Sequence, residues 1–489
     1  MVKILLIGNG AREHAIAETF KRSSHGVELC SYMKSRNPGI EALSEKIEIG
    51  SYNDLEKIRN FAQDNSVDFA FIGPEEPLAN GVVDLLETAD IPCIGPKKNL
   101  AKLESSKSFT RLLLQEFNIN GNPKFRIFTK ENINDAKDFI EKLNGVVVKP
   151  DGLTGGKGVK VQGDHFQTNE EAIDYCNEVL MTHPSVVVEE RLDGEEFSLM
   201  CITDGKTVLA MPPVQDHKRA YNEDKGPNTG GMGSYSAENH LLPFLTDKDV
   251  DDGLAITKKV ADALYKKTGQ YYKGVMYAGL IATKDGVKLI EYNARFGDPE
   301  AMNALPILKT DFVDVCNAIT KQQLNKINLK FENKATVCKY VVPKGYPDNP
   351  VKNEKISIKK ESLPQNAKLY YASVDKKSDG LYMSGSRAIA VVGIADTIHD
   401  AEKTSEKAVS CVKGNVFHRS DIGTKRLIEK RVRHMVVLRL NSVLKICPKC
   451  KSTDISPDLS AQSYAQGSFF NQYKCSKCGF SGQFFPETK

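Results

Sequence analysis

No apolar run in this 489-residue chain approaches the ~20 residues that cross a membrane, and neither an internal repeat nor a low-complexity tract interrupts it. Those absences exclude a membrane-embedded or disordered chain. The composition, 40% hydrophobic and 27% charged, is ordinary for a globular protein. A signal-peptide cleavage pattern is also missing from the start, MVKILLIGNG, so Val2 to Ile7 reads as the buried first strand of a cytoplasmic protein. A large excess of one charge is absent overall, with a net +4, yet residues 425 to 489 hold 12 Lys+Arg against 4 Asp+Glu. A polyanion partner would therefore meet the C-terminal end. The eleven cysteines show no disulfide spacing: seven are scattered singly from Cys30 to Cys411 and read as reduced core residues, while four cluster near the end.

The length exceeds what one core supports, so several domains are expected. Residues 2 to 100 alternate short strands (Val2 to Ile7, Val67 to Ile72, Ile91 to Gly95) with helical stretches (Ala11 to Phe20, Ala79 to Thr88). That is the rhythm of an open parallel α/β sheet, whose ligands sit at the carboxyl ends of strands. From Leu103 the pattern shifts to helices and strands joined by Gly-rich connections at 151–158 and 226–233, ending in a strand from Val287 to Tyr292. Strands at Ala335 to Val342, Leu369 to Val374 and Arg387 to Gly393, with a helix from Ala401 to Val412, predict a smaller closing unit. The expected fold class is α/β and α+β multidomain. Its parts are an N-terminal open parallel α/β sheet over 1–102, a nucleotide-binding domain over 103–325, a small α+β domain over 326–432, and a basic linker with a Cys-rich extension over 433–489.

Gly8-Asn9-Gly10-Ala11-Arg12-Glu13 follows the first strand and opens a helix, so backbone N–H groups and the helix dipole converge on an anion site. Glu13 replaces the third glycine of a dinucleotide fingerprint, which leaves a phosphate seat or a plain structural turn. Val146-Val147-Val148-Lys149 delivers a lysine into the loop Pro150-Asp151-Gly152-Leu153-Thr154-Gly155-Gly156-Lys157-Gly158, which suits a triphosphate. It is no Walker A loop, because Gly158 stands where a magnesium-holding Ser or Thr belongs. Backbone around Glu190 to Leu192 suits an adenine edge and Glu196 a ribose. Glu291 and Asn293, two apart on a strand, place two oxygen ligands ~6.5 to 7 Å apart on one face, as magnesium accepts. Gln215-Asp216-His217-Lys218-Arg219 sets an anion beside cations, as a zwitterionic amino acid requires, and Gly226-Pro227-Asn228-Thr229-Gly230-Gly231-Met232-Gly233 admits close backbone approach.

Taken in order, QDHKR at 215–219, GPNTGGMG at 226–233 and RFGDPE at 295–300 resemble the ATP-grasp superfamily, and within it the phosphoribosylamine–glycine ligases. Gly73-Pro74-Glu75, Leu103-Glu104-Ser105-Ser106-Lys107 and Asp421-Ile422-Gly423 add to the likeness, which runs from residue 1 to about 432. The resemblance implies a central ATP-grasp domain. It also implies an ATP-dependent carbon–nitrogen ligase that joins glycine to 5-phosphoribosylamine through a glycyl phosphate in de novo purine biosynthesis. By the same resemblance, Lys107, Lys149 and the Gly155-Gly156 loop take the ATP phosphates, Glu189, Glu190 and Leu192 the adenine, and Glu196 the ribose. Glu291 and Asn293 take Mg2+ (or Mn2+). Gly8, Asn9, Gly10, Arg12, Glu13, Gly73, Pro74 and Glu75 take the phosphoribosyl group, and Arg295 and Asp216 orient glycine. Lys218, Thr229, Gly230 and Asp298 complete the substrate contacts, and Arg295, Lys149 and Asp216 carry the catalysis. The sequence departs from the family at Ala11, where the first loop usually has a glycine, and at Thr154-Gly155, where the lid loop usually has two alanines. Tyr277-Ala278-Gly279-Leu280 also lacks the carboxylate many ATP-grasp enzymes place there, so one ion or two remain open. An ATP-grasp ligase with another acceptor is the same-fold alternative.

The end of the chain lies outside that likeness. Cys447-Pro448-Lys449-Cys450 and Cys475-Ser476-Lys477-Cys478 form the paired knuckles of a structural zinc ribbon, with an iron centre or redox disulfides as the other readings. Tyr464, Phe469, Phe470, Tyr473, Phe480, Phe484 and Phe485 read either as its miniature core or as a surface for a nucleic-acid or protein partner.

Overall fold

The computed structural model describes residues 1–153, 155, 158–440, 444–445, 447–452, 454–457, 473–482 and 487–488. Its N-terminal sheet is parallel throughout, in the spatial order Lys46–Ile49, Val27–Met33, Val2–Ile7, Phe69–Ile72, Cys93–Ile94. The first strand is central and carries Ile4, Leu5, Leu6 and Ile7 at 0% exposure, the near-continuous apolar run that a strand covered on both faces requires. Strand order reverses on either side of it. The crevice beyond the carboxyl ends of Val2–Ile7 and Phe69–Ile72 is therefore a topological switch point. The helical stretch expected over Ala79 to Thr88 is two helices, Glu75–Asn80 and Val82–Thr88, because Gly81 adopts φ +93° and ends the first.

Two antiparallel sheets follow. Phe125–Phe128, Val186–Glu190, Val146–Pro150 and Lys160–Val161 form one, packed against the helix Asn169–Thr182 around a core of its own that includes Phe128, Val148, Cys176 and Val188. Val208–Ala210, Glu195–Thr203, Gly274–Thr283 and Gly286–Asn293 form the other, which shares the main core with the N-terminal sheet. A further sheet joins Gln215–Asp216 and Gly233–Ser236 to Ala335–Pro343, Ile389–Ala395 and Ala367–Tyr371. It thus ties the central part of the chain to the C-terminal part by backbone hydrogen bonds. The stretch expected as one strand from Leu369 to Val374 is divided between Ala367–Tyr371 in that sheet and Val374–Lys377 in another.

The basic segment after residue 424 is a helix, Lys425–Leu440, continuous through residue 433. Among the described residues no helix is long and apolar enough to cross a membrane, and the seven scattered cysteines are all buried and unpaired.

Candidate active site

The loops after the first and fourth strands of the N-terminal sheet meet at the switch point, where Gly73 N–H donates to the Ile7 carbonyl (2.9 Å). The seat expected of Gly8 to Glu13 is filled by the protein's own carboxylate. Gly10 N–H donates to Glu13 Oε2 (2.7 Å) and Arg12 Nε to Glu13 Oε1 (2.5 Å). Only glycine permits this fold-back: a Cβ on Gly8 or Gly73 would lie 2.3 or 2.4 Å from Glu13 Cγ. Arg12 reaches on to the Phe296 carbonyl (2.9 Å), and the Asn9 amide oxygen accepts from the Tyr52 hydroxyl (2.6 Å). Pro74 precedes the helix that begins at Glu75, whose carboxylate pairs with Arg295 Nε (3.1 Å). Burial alone would raise the Glu75 pKa, but Arg295 and Arg12 hold it down at about 2.

Glu291 lies at the centre of the cations. Desolvation works against its charge, yet Lys218, Lys149, Lys107 and Arg295, in that order, hold its pKa below the usual carboxylate range. The strand that carries it does not alternate simply. Gly279 opposes Glu291 and Leu280 opposes Leu289, so Ile290 is the extra residue of a β-bulge. Strict alternation would put Glu291 and Asn293 on the face of the core residues Val287 and Leu289. The bulge instead turns Tyr292 into the core, 2% exposed, and sends Glu291 and Asn293 to the opposite side. It also exposes the Ile290 carbonyl, which accepts from Lys149 Nζ (3.0 Å) and Arg111 Nη2 (2.7 Å).

Glu189 serves this scaffold. Its carboxylate pairs with Arg111 Nε (2.6 Å) and Lys149 Nζ (2.8 Å), all three side chains being buried. Lys107 Nζ donates to the Gly152 carbonyl (2.8 Å) at the root of the glycine loop, where Gly155 has open space around it; Gly156 lies outside the described residues. Glu190 and Arg191 have their N–H groups engaged by the Lys124 and Gly145 carbonyls, and the Leu192 N–H has no partner among the described residues. Glu196 pairs with Lys218 Nζ (3.2 Å), the leading reason the Lys218 pKa is raised.

The two glycine-bearing strings are pinned together from the C-terminal part of the chain. Arg387 Nη1 donates to the carbonyls of Gly230 (2.5 Å), Gly231 (2.9 Å) and Asp298 (2.9 Å), with its guanidinium 4.4 Å over the Tyr340 ring. The Tyr340 hydroxyl donates to the Asp298 carboxylate. Thr229 caps the same turn through the Lys218 carbonyl (2.8 Å). Asp216 accepts from the His217 N–H (2.7 Å), and a Cβ on Gly231 would lie 2.7 Å from its Oδ1. Burial, reinforced by Glu300, pushes the Asp216 pKa well above the usual range. Arg111, Glu104 and Arg387 hold these groups in place, a role that sequence assigned to none of them, although Glu104 lies in the string Leu103 to Lys107. Each lies far in sequence from what it holds, so no local pattern marks it.

The Lys425–Leu440 helix lays its basic side chains on the chain's own acids. Arg431 pairs with Asp224 and with Glu195 (3.4 Å), His434 with Glu195 (2.6 Å) and Asp193 (3.3 Å), and Arg439 with Asp249 (2.6 Å). Arg431 and Arg439, two of the basic residues of this segment, are thereby paired within the chain. Beyond it, Cys447, Cys450, Cys475 and Cys478 bring their sulfurs within 4.8 Å of one another. The two knuckles match: Lys451 N–H donates to the Cys447 carbonyl and Gly479 N–H to that of Cys475 (2.9 Å each), and both fifth residues are left-handed, at φ +59° and +69°. The Sγ–Sγ distances of 3.5 Å for Cys447–Cys478 and Cys450–Cys475 approach the ~3.8 Å edge of a tetrahedron with ~2.3 Å metal–sulfur bonds. Tyr473 and Phe480 pack on this cluster with Leu440; Tyr464, Phe469, Phe470, Phe484 and Phe485 lie outside the described residues.

Three family models match the chain in succession: phosphoribosylglycinamide synthetase N domain over 2–104, ATP-grasp (A) domain over 105–301 and C domain over 336–425. Among its relatives are the phosphoribosylamine–glycine ligases of Methanocella arvoryzae, 50% identical over 440 residues, and Methanocaldococcus jannaschii, 50% identical over 446. Each alignment spans 90% of this chain and 100% of the relative. The crystal structure of a phosphoribosylamine–glycine ligase from Thermotoga maritima superposes with a TM-score of 0.72 at 26% identity, covering 86% of this chain and all of that one. A biotin carboxylase domain from Hydrogenobacter thermophilus, at 15% identity and a TM-score of 0.65 over 88% of this chain and 93% of its own, shares the fold.

Proposed function

The chain belongs to the phosphoribosylglycinamide synthetase family of ATP-dependent ligases, and from that premise we propose how its own residues join glycine to 5-phosphoribosylamine. The products are glycinamide ribonucleotide, ADP and phosphate, a step of purine biosynthesis. The observation that carries the reading is the convergence of four cations, Lys218, Lys149, Lys107 and Arg295, on the Glu291 carboxylate. Lys149, Lys218 and Arg295 also pair with Glu189, Glu196, Glu75 and Glu104, while Lys107 pairs with no carboxylate among the described residues, so a triphosphate with a divalent ion can exchange for part of these pairs. A magnesium or manganese ion held by Glu291 and Asn293 would offset charge on the transferring phosphoryl group.

The residues supply position and charge. Lys107 and Lys149 hold phosphate oxygens, with Lys149 releasing part of its bond to Glu189. The Leu192 N–H reads the adenine edge and Glu196 the ribose. Arg295 takes the glycine carboxylate and Asp216 its ammonium, whose arrival draws the raised Asp216 pKa back down. The carboxylate attacks the γ-phosphorus and ADP leaves; the phosphoribosylamine nitrogen then attacks the acyl carbon of the glycyl phosphate and phosphate leaves. Arg12, Asn9 and the Gly73 to Glu75 loop hold the phosphoribosyl group at the switch point. The lobe containing Val146–Pro150 has a separate core, so it can close over ATP without breaking the main one. The four-cysteine cluster holds a structural zinc, and the enzyme works in the cytoplasm.

The test is ADP release from ATP and magnesium with 5-phosphoribosylamine, with and without glycine. Glycine-dependent release is expected. Release that depends on another amino acid or amine would reassign the acceptor within the same fold, and none at all would overturn the reading.

A further inference from the structure

Glu104 has no part in the scheme above. It lies in the short helix Lys102–Ser105 with its side chain 7% exposed, and its oxygens hold two consecutive residues: Oε2 accepts Ala294 N–H (2.7 Å) and Oε1 pairs with Arg295 Nη2 (2.9 Å). Ala294 directly follows Asn293. One buried carboxylate therefore fixes both the end of the strand bearing Glu291 and Asn293 and the guanidinium beyond it. Arg295 is also held by the Phe296 carbonyl (3.2 Å) and by Glu75, whose side chain is 35% exposed. The guanidinium lies between a closed carboxylate, Glu104, and a more open one, Glu75.

We propose that Glu104 is a positioning residue for glycine: it holds Arg295 at a fixed offset from Glu291 and Asn293, leaving the Glu75 side of the guanidinium as the face that exchanges for the glycine carboxylate. The inference rests on Arg295 being the partner of that carboxylate. In-line attack needs reacting atoms ~3 to 3.5 Å apart, and a misplacement of ~1 Å costs ~100-fold in rate. An arginine side chain reaches that precision only if a fixed partner locks it, and Glu104 is the less exposed of its two carboxylate partners. Burial pushes the Glu104 carboxyl up to about 7 against the pull of Arg295, with Glu75 adding to the rise and the Ala294 N–H and Arg12 opposing it. The Tyr272 phenol also feels its charge. In the free enzyme the lock is therefore ionised above about pH 7 and loosens below.

The experiment is steady-state ADP release by full-length Glu104→Gln and Glu104→Asp beside the wild type, with melting temperatures in parallel. Glu104→Gln keeps an acceptor for Ala294 N–H and loses the charge. It is expected to raise KM for glycine ~10-fold or more and lower kcat, to leave KM for ATP within ~2-fold, and to flatten the acidic limb of the wild-type kcat/KM profile near pH 7. Glu104→Asp should restore part of the glycine effect. Unchanged glycine kinetics, an unchanged pH profile, or KM for ATP and glycine rising together with a fall in melting temperature would overturn the proposal. A wild type with no glycine-dependent ADP release would remove the functional reading itself; a glycine-dependent wild type matched by Glu104→Gln removes this inference alone.

Discussion

At the scale of single residues, Glu291, partly buried, is kept charged and His217, buried, is kept neutral. Desolvation penalises the Glu291 carboxylate, but the four surrounding cations outweigh it. His217 has no such help. Burial leads, and Arg419 adds to it, so the ring pKa falls to about 3, and neither ring nitrogen has a partner among the described residues. A ring that stays neutral through the working pH range is a poor proton donor. Glu291→Gln is therefore expected to lower kcat by ~100-fold or more and raise the magnesium concentration needed, whereas His217→Asn stays within ~10-fold of wild type. Magnesium titrations of ADP release compare them, and an equal loss in both would give His217 a part in proton transfer. Glu189 carries a different lesson at this scale. The family resemblance places Glu189 among the adenine contacts. In three dimensions its oxygens are shared by Arg111, 78 residues away in the chain, and Lys149.

At the scale of elements, the Lys425–Leu440 helix is a strap across the nucleotide-binding part. It neutralises Asp224, Glu195 and Asp249, and Glu195 directly precedes Glu196. Removing the strap strands buried acids, and breaking a buried pair costs about 3–5 kcal/mol. Truncation after residue 440 should therefore leave glycine-dependent ADP release within ~2-fold and remove one bound zinc per chain, read with a colorimetric chelator. Truncation after residue 424 should abolish soluble activity. Equal activity in both truncations would show that the helix is dispensable. The bulge at Ile290 is the other element that decides function, because it sets which way Glu291 points. Sequence places Glu291 and Asn293 on one face correctly, since the bulge precedes both. It does not say which face, because an apolar residue such as Ile290 carries no local signal of a bulge.

At the scale of the whole molecule, the N-terminal and C-terminal parts meet at His14. Its Nδ1 accepts from Tyr371 N–H (3.0 Å), and its ring stacks on Tyr371 and meets Tyr370 edge-on. Burial leads in lowering its pKa from 6.5 to about 4, Lys360 acting the same way and Glu18 against. The folded state therefore binds fewer protons than the unfolded one between those values. Stability is intact above pH 6.5 and is lost as pH falls through 4, by on the order of 3 kcal/mol. Melting temperatures from pH 7.5 to 4 should fall, and His14→Asn, which keeps an acceptor but does not titrate, should flatten the decline. An identical decline in that variant would locate the acid sensitivity elsewhere.

Periodicity and glycine strings by themselves determined the parallel N-terminal sheet, the strand feeding Lys149 into a glycine loop, and the four-cysteine knuckles. These depend on contacts within a few residues, where side-chain alternation, positive φ and ligand spacing act directly. The ordered strings QDHKR, GPNTGGMG and RFGDPE determined the family. Only the tertiary structure decided that Glu291 turns away from the core, that Arg387 and Glu104 hold the turns carrying Gly230 and Arg295, and that Arg431 and Arg439 of the C-terminal helix pair with the chain's own acids. Each of these is a pairing of groups distant in sequence or a shift in strand register. Such pairings are set by how the sheets stack, and no single segment carries that information.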